Sequence, residues 1–153
     1  MKITNLFFTF LFCPWRVIDW LTLWATFDGN DGVVKVGANT VAEVTQFSVT
    51  EGIQTKDDTA MGDTSDTHKT GRKNWNGSLT CWWDDTDTNG QEALVIGASV
   101  TLHLHPEGSA SGADDITGTA SITEVTVTSE KDGIVTRSFN FLGNGTLTHG
   151  TVV

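Results

Sequence analysis

The chain is poor in the groups on which most familiar chemistries depend. Only two cysteines occur, Cys13 and Cys81, in segments of different character, so no disulfide framework is indicated. Lysine plus arginine total 9 against 19 aspartate plus glutamate, a formal charge of -10, and no stretch is basic enough to grip phosphates. This argues against sequence-directed nucleic-acid binding, although an acidic wall repels a nucleic acid and lets it slide without sticking. No apolar run reaches the roughly 20 residues that span a bilayer as a helix, because Pro14, Arg16 and Asp19 interrupt the one candidate. There is no glycine-rich phosphate loop, no serine elbow and no cysteine and histidine pair of known spacing. Enzymatic activity and a bound cofactor therefore have no positive support. With 153 residues, one domain is the default, and a domain of that size buries roughly two thirds of its unfolded surface.

Residues 1–27 differ from the rest. They concentrate Phe7, Phe8, Phe10, Phe12 and Phe27 with Trp15, Trp20 and Trp24. Lys2 and the apolar run over residues 3–12 start as a signal peptide does, but no small-residue cleavage pair follows. Two readings remain: an export segment, or a start placed too far upstream of a working protein that begins near Leu23 or Ala25. The second is preferred, because the domain-like pattern of residues 28–153 begins abruptly after Phe27.

From Asp28 onward, short apolar and threonine-rich runs alternate with glycine and aspartate clusters, the pattern of an all-β domain. The cleanest strand covers residues 98–105, where Val100, Leu102 and Leu104 alternate with Ser99, Thr101, His103 and His105. Further strands are expected over residues 33–36, 41–50, 77–83, 118–129 and 134–142. Ile122 and Val125 are out of phase, which predicts a bulge near Thr123. A three-residue turn at Lys131, Asp132 and Gly133, with the glycine left-handed, sets Val125 against Phe139 and Ser129 against Val135. One face of that pair is then apolar, while the other carries Thr126, Thr128, Thr136, Ser138 and Asn140. Thr88 with Gln91 resembles a capping box and predicts one short helix through Ile96, closed by Gly97, with Leu94 toward the sheet.

Three clusters invite chemical readings. Asp85, Asp87, Asn89 and Gly90 open like a calcium loop, but Ile96 stands where the bidentate carboxylate belongs, so a polar turn explains them better. His103 and His105 project from one strand face as in β-sheet metal sites, and Gly97 before them suggests a cupin motif that the following residues do not continue. Two histidines on a polar strand face are the simpler account, and no metal is assigned. Cys81, among Leu79, Trp82 and Trp83, reads as a small core residue. The longest polar stretch, residues 51–74, is read as a functional loop. Glu51, Asp57, Asp58, Asp63 and Asp66 crowd its first part, and Lys69, Arg72 and Lys73 follow. Such polarity suits head-to-tail contacts between copies, with a solvated hairpin tip as the alternative.

The runs VKVGANTVAEVTQFSVTEG, NWNGSLTCWWDDTDTNGQEAL, GASVTLHLHPEG and DGIVTRSFNFLGNGTLT resemble the major tail tube proteins of long-tailed bacteriophages and gene transfer agents. The resemblance implies a β-sandwich or half-barrel with one short flanking helix and a long stacking loop. It implies homo-hexameric rings stacked into a tube through which DNA passes without specific binding, with tape-measure and tail terminator or tip proteins as partners. The place would be the virion tail, reached by assembly in the host cytoplasm, with no membrane. Residues 51–74 occupy the position of the family's stacking loop. The Thr126 to Asn140 face is the expected lumen lining, with the His103 face as its competitor. Two other functions are kept in view: a secreted extracellular β-sandwich binding module, and a metal-dependent, cupin-like β-barrel enzyme using His103 and His105.

Overall fold

The computed structural model describes residues 28–153, so both readings of the aromatic N-terminal segment concern residues outside the description. The described residues form an all-β structure. Its strands are β1 (Val33–Val36), β2 (Asn39–Thr40), β3 (Val44–Asp57), β4 (His68–Trp82), β5 (Ser99–His105), β6 (Asp114–Thr128), β7 (Thr136–Gly143) and β8 (Thr148–Thr151). They form one antiparallel sheet in the order β2-β1-β5-β6-β7-β4-β3, with β8 beside the first part of β6. A single sheet buries a core only by curling on itself, and β1 and β3 approach each other from opposite ends of the order. This is the half-barrel alternative, without a second sheet among the described residues.

The curl gives the sheet an inner and an outer face. Val34, Leu102, Leu104, Ala120, Ile122, Phe139, Phe141, Leu79 and Trp75 fill the inner one. The phase problem in β6 is resolved as its sequence demands. Ile122 pairs with Phe141 and Glu124 with Asn140, so Thr123 is the extra residue, and Val125 returns to the inner face opposite Phe139. The Thr123 hydroxyl donates to the Asn140 carbonyl at 3.1 Å. Without that bulge, Ile122 and Val125 would face opposite sides, and one would lose its burial.

Large rings lie on glycines. A Cβ on Gly118 would come within 2.6 Å of the Trp75 ring and 2.8 Å of Leu147, and one on Gly143 would overlap the same indole. Trp75 Nε1 completes the packing by donating to the Gly145 carbonyl at 3.1 Å. The indole is thus buried with its one polar atom satisfied.

Three local expectations are corrected. In place of a flanking helix there is a single 3-10 turn, Gln91–Ala93. Thr88 does not cap it: the Asp87 carboxylate accepts from the Gly90 and Gln91 amides, each at 2.9 Å, and also from Ala42 at 2.9 Å. Leu94 is nonetheless fully buried, and Gly97 takes φ +80. Second, Gly133 is not left-handed. The β6–β7 register is the expected one, but the turn is longer and is closed by the Gly133 amide on the Glu130 carbonyl at 3.2 Å. Third, residues 51–74 are not a structureless loop. They are the outer half of a β3–β4 ribbon whose ladder runs to Asp57 opposite His68.

Candidate assembly surfaces

The β3–β4 ribbon leaves the sheet at Glu51, which pairs with Trp75, the last buried residue of β4 before the arm. From there to Asp57, six strand steps carry the arm about 20 Å beyond the core. Every residue of it from Thr50 to Asn74 is exposed. The ladder slips between Ile53 and Thr55, where Gly71 and Arg72 together oppose Gln54, a bulge that adds twist to the arm.

Folding back of the chain rearranges the charges. Glu51 stays at the base, where His149 Nε2 on β8 lies 2.6 Å from its Oε1. Asp57, Asp58, Asp63 and Asp66 gather at the tip, whereas Lys69, Arg72 and Lys73, with Lys56 opposite Lys69, line the stem. The polarity therefore runs from tip to stem and not from one strand to the other. Inside the tip, Asp57 Oδ1 accepts from the Thr59 amide at 2.9 Å and its hydroxyl at 2.5 Å, which holds the Asp57 carboxyl below the usual range. Asp63 accepts from the Ala60 amide at 2.9 Å, and Lys69 Nζ reaches Asp58 at 2.6 Å across the ribbon. The tip is thus an ordered acidic knob.

The outer sheet face is the second surface. Pairing places Thr126 beside Ser138 and Thr128 beside Thr136, and Ser138 and Asn140 beside Thr80 and Ser78 of β4. Ser48 of β3 extends the row, with its hydroxyl 3.0 Å from that of Ser78. Thr80 and Ser138 share a hydrogen bond at 3.1 Å. The five residues Thr126, Thr128, Thr136, Ser138 and Asn140 therefore share one surface, continued across four strands by hydroxyls and amides. Over the stretch where β6 pairs with β7 this face carries one charge, Glu124, which accepts from Asn140 Nδ2 at 2.8 Å, while Asp115 lies on the same face farther along β6, beside His103 and His105. The acidity of the chain is not concentrated there. The Gln91–Ala93 turn lies on the opposite, inner side, where Glu92 pairs with Arg137 and Leu94 enters the core.

The metal-like clusters separate. Asp87 is committed to three backbone amides, and Asp84 Oδ1 to the amide and hydroxyl of Thr86, which lowers the Asp84 pKa. Nothing at Asp85 to Gly90 gathers carboxylates around a cation. Cys81 is fully buried, and burial pushes its thiol up to about 11. His103 and His105, by contrast, meet Asp115 of β6, at 3.2 Å in each case. Sequence reasoning missed Asp115 because it lies ten residues from His105 across a turn, and only the β5–β6 register brings it near. Burial lowers the pKa of His105 against the opposing pull of Asp115. Burial is the largest single influence on Asp115 and pushes its pKa up, but hydrogen bonds from Thr117 and His103 and the charge of the nearby imidazoles together outweigh it and hold the carboxyl low. Exposed apolar side chains also stand out: Trp82, Trp83 and Ile134 lie around the β4–β7 end, with the Trp83 amide on the Val135 carbonyl at 2.9 Å.

No protein-family profile and no curated protein sequence matches the chain. Solved structures do. The tail of an empty gene transfer agent particle with C6 symmetry matches at 15% identity, over 82% of this chain and 99% of that chain, with TM-score 0.66. The SPP1 tail tube matches at 12% identity, over 82% of this chain and 80% of that one, with TM-score 0.61. The tube-terminating cap of the anti-feeding prophage matches at 13% identity, over 89% and 98%, with TM-score 0.64. In fold, the rolled antiparallel sheet is similar to phage and gene transfer agent tail tubes and to the tubes of contractile injection systems.

Proposed function

We propose that the protein is a virion structural subunit that assembles with copies of itself into stacked rings, forming a tail tube that conducts DNA. The observation that carries this reading is the arm. The outer half of the fourteen-residue edge strand β3, from Glu51 to Asp57, and the facing stretch of β4 from His68 to Asn74 project about 20 Å from the core with every residue exposed. A long edge with unpaired backbone groups is a template for pairing with another chain, and a free protein ordinarily blunts it. In a ring stack the acidic tip, with Asp57, Asp58, Asp63 and Asp66, meets a neighbouring copy, and Lys69, Arg72 and Lys73 on the stem supply the complementary charge. The contact is head to tail and propagates into a tube. The exposed apolar side chains of Trp82, Trp83 and Ile134 are of the kind that a neighbouring subunit covers.

The C6 symmetry of the similar gene transfer agent tail supports six subunits per ring. The outer face with Thr126, Thr128, Thr136, Ser138 and Asn140 lines the lumen in this reading. Short, mostly uncharged side chains make a wall without cationic anchors for phosphate, so DNA passes unbound. Tape-measure and terminator proteins are the further partners, the subunit has no catalytic role, and it assembles in the host cytoplasm before residing in the virion.

Charge reversal tests the arm. The triple variant Lys69→Glu, Arg72→Glu, Lys73→Glu is expected to stop at single rings or monomers while keeping the β-sheet circular dichroism. Tubes of normal length from that variant would refute the stacking role.

A further inference from the structure

We propose that His103, His105 and Asp115 form a binding site for one divalent first-row transition-metal ion of the zinc type, which ties β5 to β6. Among the described residues this is the one group of three such side chains whose donor atoms all lie within 4.8 Å of one another. The two histidines stand two apart on β5 and so share a face, and the β5–β6 register sets Asp115 beside them. His103 Nδ1 lies 3.2 Å from Asp115 Oδ2, and His105 Nε2 lies 3.2 Å from Asp115 Oδ1. Donors about 2.0–2.1 Å from a tetrahedral ion are separated by about 3.3–3.4 Å, so the carboxylate already sits at ligand spacing from both rings.

The protein's own hydrogen bonds leave this cluster incomplete. Asp115 Oδ1 and His105 Nδ1 are buried and have no hydrogen-bond partner, and the 3.2 Å approach of His105 Nε2 to Oδ1 is not aligned as a hydrogen bond. A buried carboxylate oxygen without a donor is costly, and a cation between it and the imidazoles removes the deficit at that oxygen. Two imidazoles and one carboxylate suit zinc and its first-row neighbours better than calcium or magnesium, which prefer oxygen alone. Thr117, which hydrogen-bonds Asp115 and whose hydroxyl also lies 3.0 Å from His103 Nδ1, would support the carboxylate from the outer shell. The His103 and Asp115 side chains are 29% and 19% exposed, which gives an ion a path from solvent and leaves a position for water or a donor from another copy. Lys35, paired with His103 across β1, opposes a cation and sets a limit on affinity.

The test uses the whole chain, stripped with chelator and titrated with cobalt(II) and then zinc(II). One cobalt per chain is expected, with the visible d–d bands of a low-symmetry site, displaced by zinc, and zinc should raise Tm. Asp115→Asn and His103→Gln should each weaken binding by about tenfold or more. His68→Gln and His149→Gln should leave it unchanged, and circular dichroism should verify that all four variants fold. His103, more exposed than Asp115, serves as the safe variant should Asp115→Asn fail to fold. Less than a tenth of an equivalent of cobalt bound, or binding indifferent to His103→Gln, would overturn the site and leave a purely hydrogen-bonded cluster.

Discussion

Gln91 is the residue whose loss should be felt most for its size. Its side chain is fully buried and joins three segments of backbone. Nε2 donates to the carbonyls of Ala42 at 3.0 Å and Trp82 at 2.8 Å, while Oε1 accepts from the Asp84 amide at 3.1 Å. Gln91→Leu keeps the volume and deletes all three bonds. At about 0.5–1.5 kcal/mol net per bond, with part of the desolvation penalty added for carbonyls that cannot reach water, the loss should be about 2–5 kcal/mol. For a domain of this size that lowers Tm by about 5–15 °C. Gln91→Glu adds a signature of its own. A carboxylate facing two carbonyls is disfavoured, so the introduced group has a folded pKa raised above its unfolded value. The protonated form recovers one donor, so the deficit relative to the wild type should be smallest at low pH and should grow as pH rises through the folded pKa. Urea unfolding followed by tryptophan fluorescence reads both effects. A loss under about 0.5 kcal/mol for Gln91→Leu, or a Glu deficit independent of pH, would refute the view that this side chain is the tie between the β2–β3 link and the end of β4.

Three further outcomes follow from the same packing and charge arguments. Gly143→Ala should destabilise by about 1–3 kcal/mol in thermal unfolding, because its methyl overlaps the Trp75 indole, and the cost should shrink in a Trp75→Leu background; additive effects would contradict the contact. Both His105 and Asp115 have folded pKa values below their ordinary 6.5 and 3.8, so each contributes stability that is present above the ordinary value and lost as pH falls. Stability should therefore start to decline below about pH 6.5, and His105→Gln should flatten that limb in pH-dependent denaturation; an unchanged limb would remove His105 as its source. Cys81, buried with a thiol at about 11, should stay unmodified by iodoacetamide in the native protein, as peptide mass mapping would show, and rapid alkylation would contradict its burial.

Period-two patterning made much of this fold legible. The phase slip between Ile122 and Val125 located the Thr123 bulge, and hydrophobic matching gave the Val125–Phe139 register although the turn chemistry differed. Both are local statements about which face of a strand meets the core. What was illegible depended on partners far apart in the chain. Gln91 looks like a helix cap by spacing, but the carbonyls of Ala42 and Trp82 claim its amide, and Asp87 supplies the cap. The polar composition of residues 51–74 hid a ribbon, because a strand exposed on both faces has no apolar alternation to betray it. The same folding back turned a sequence with an acidic beginning and a basic end into an arm with an acidic tip and a basic stem. At the polar outer face, the five threonine, serine and asparagine positions were readable from β6 and β7 alone, whereas their continuation through Thr80, Ser78 and Ser48 required the sheet order. His103 and His105 were visible as a pair, but Asp115 was not.

Electron microscopy of the purified chain, over a rising concentration series, decides whether the subunit assembles as proposed. Rings of six subunits with an open centre, stacked into tubes through the β3–β4 arm, are expected. A stable monomer at high concentration, with neither rings nor tubes, would contradict that assembly.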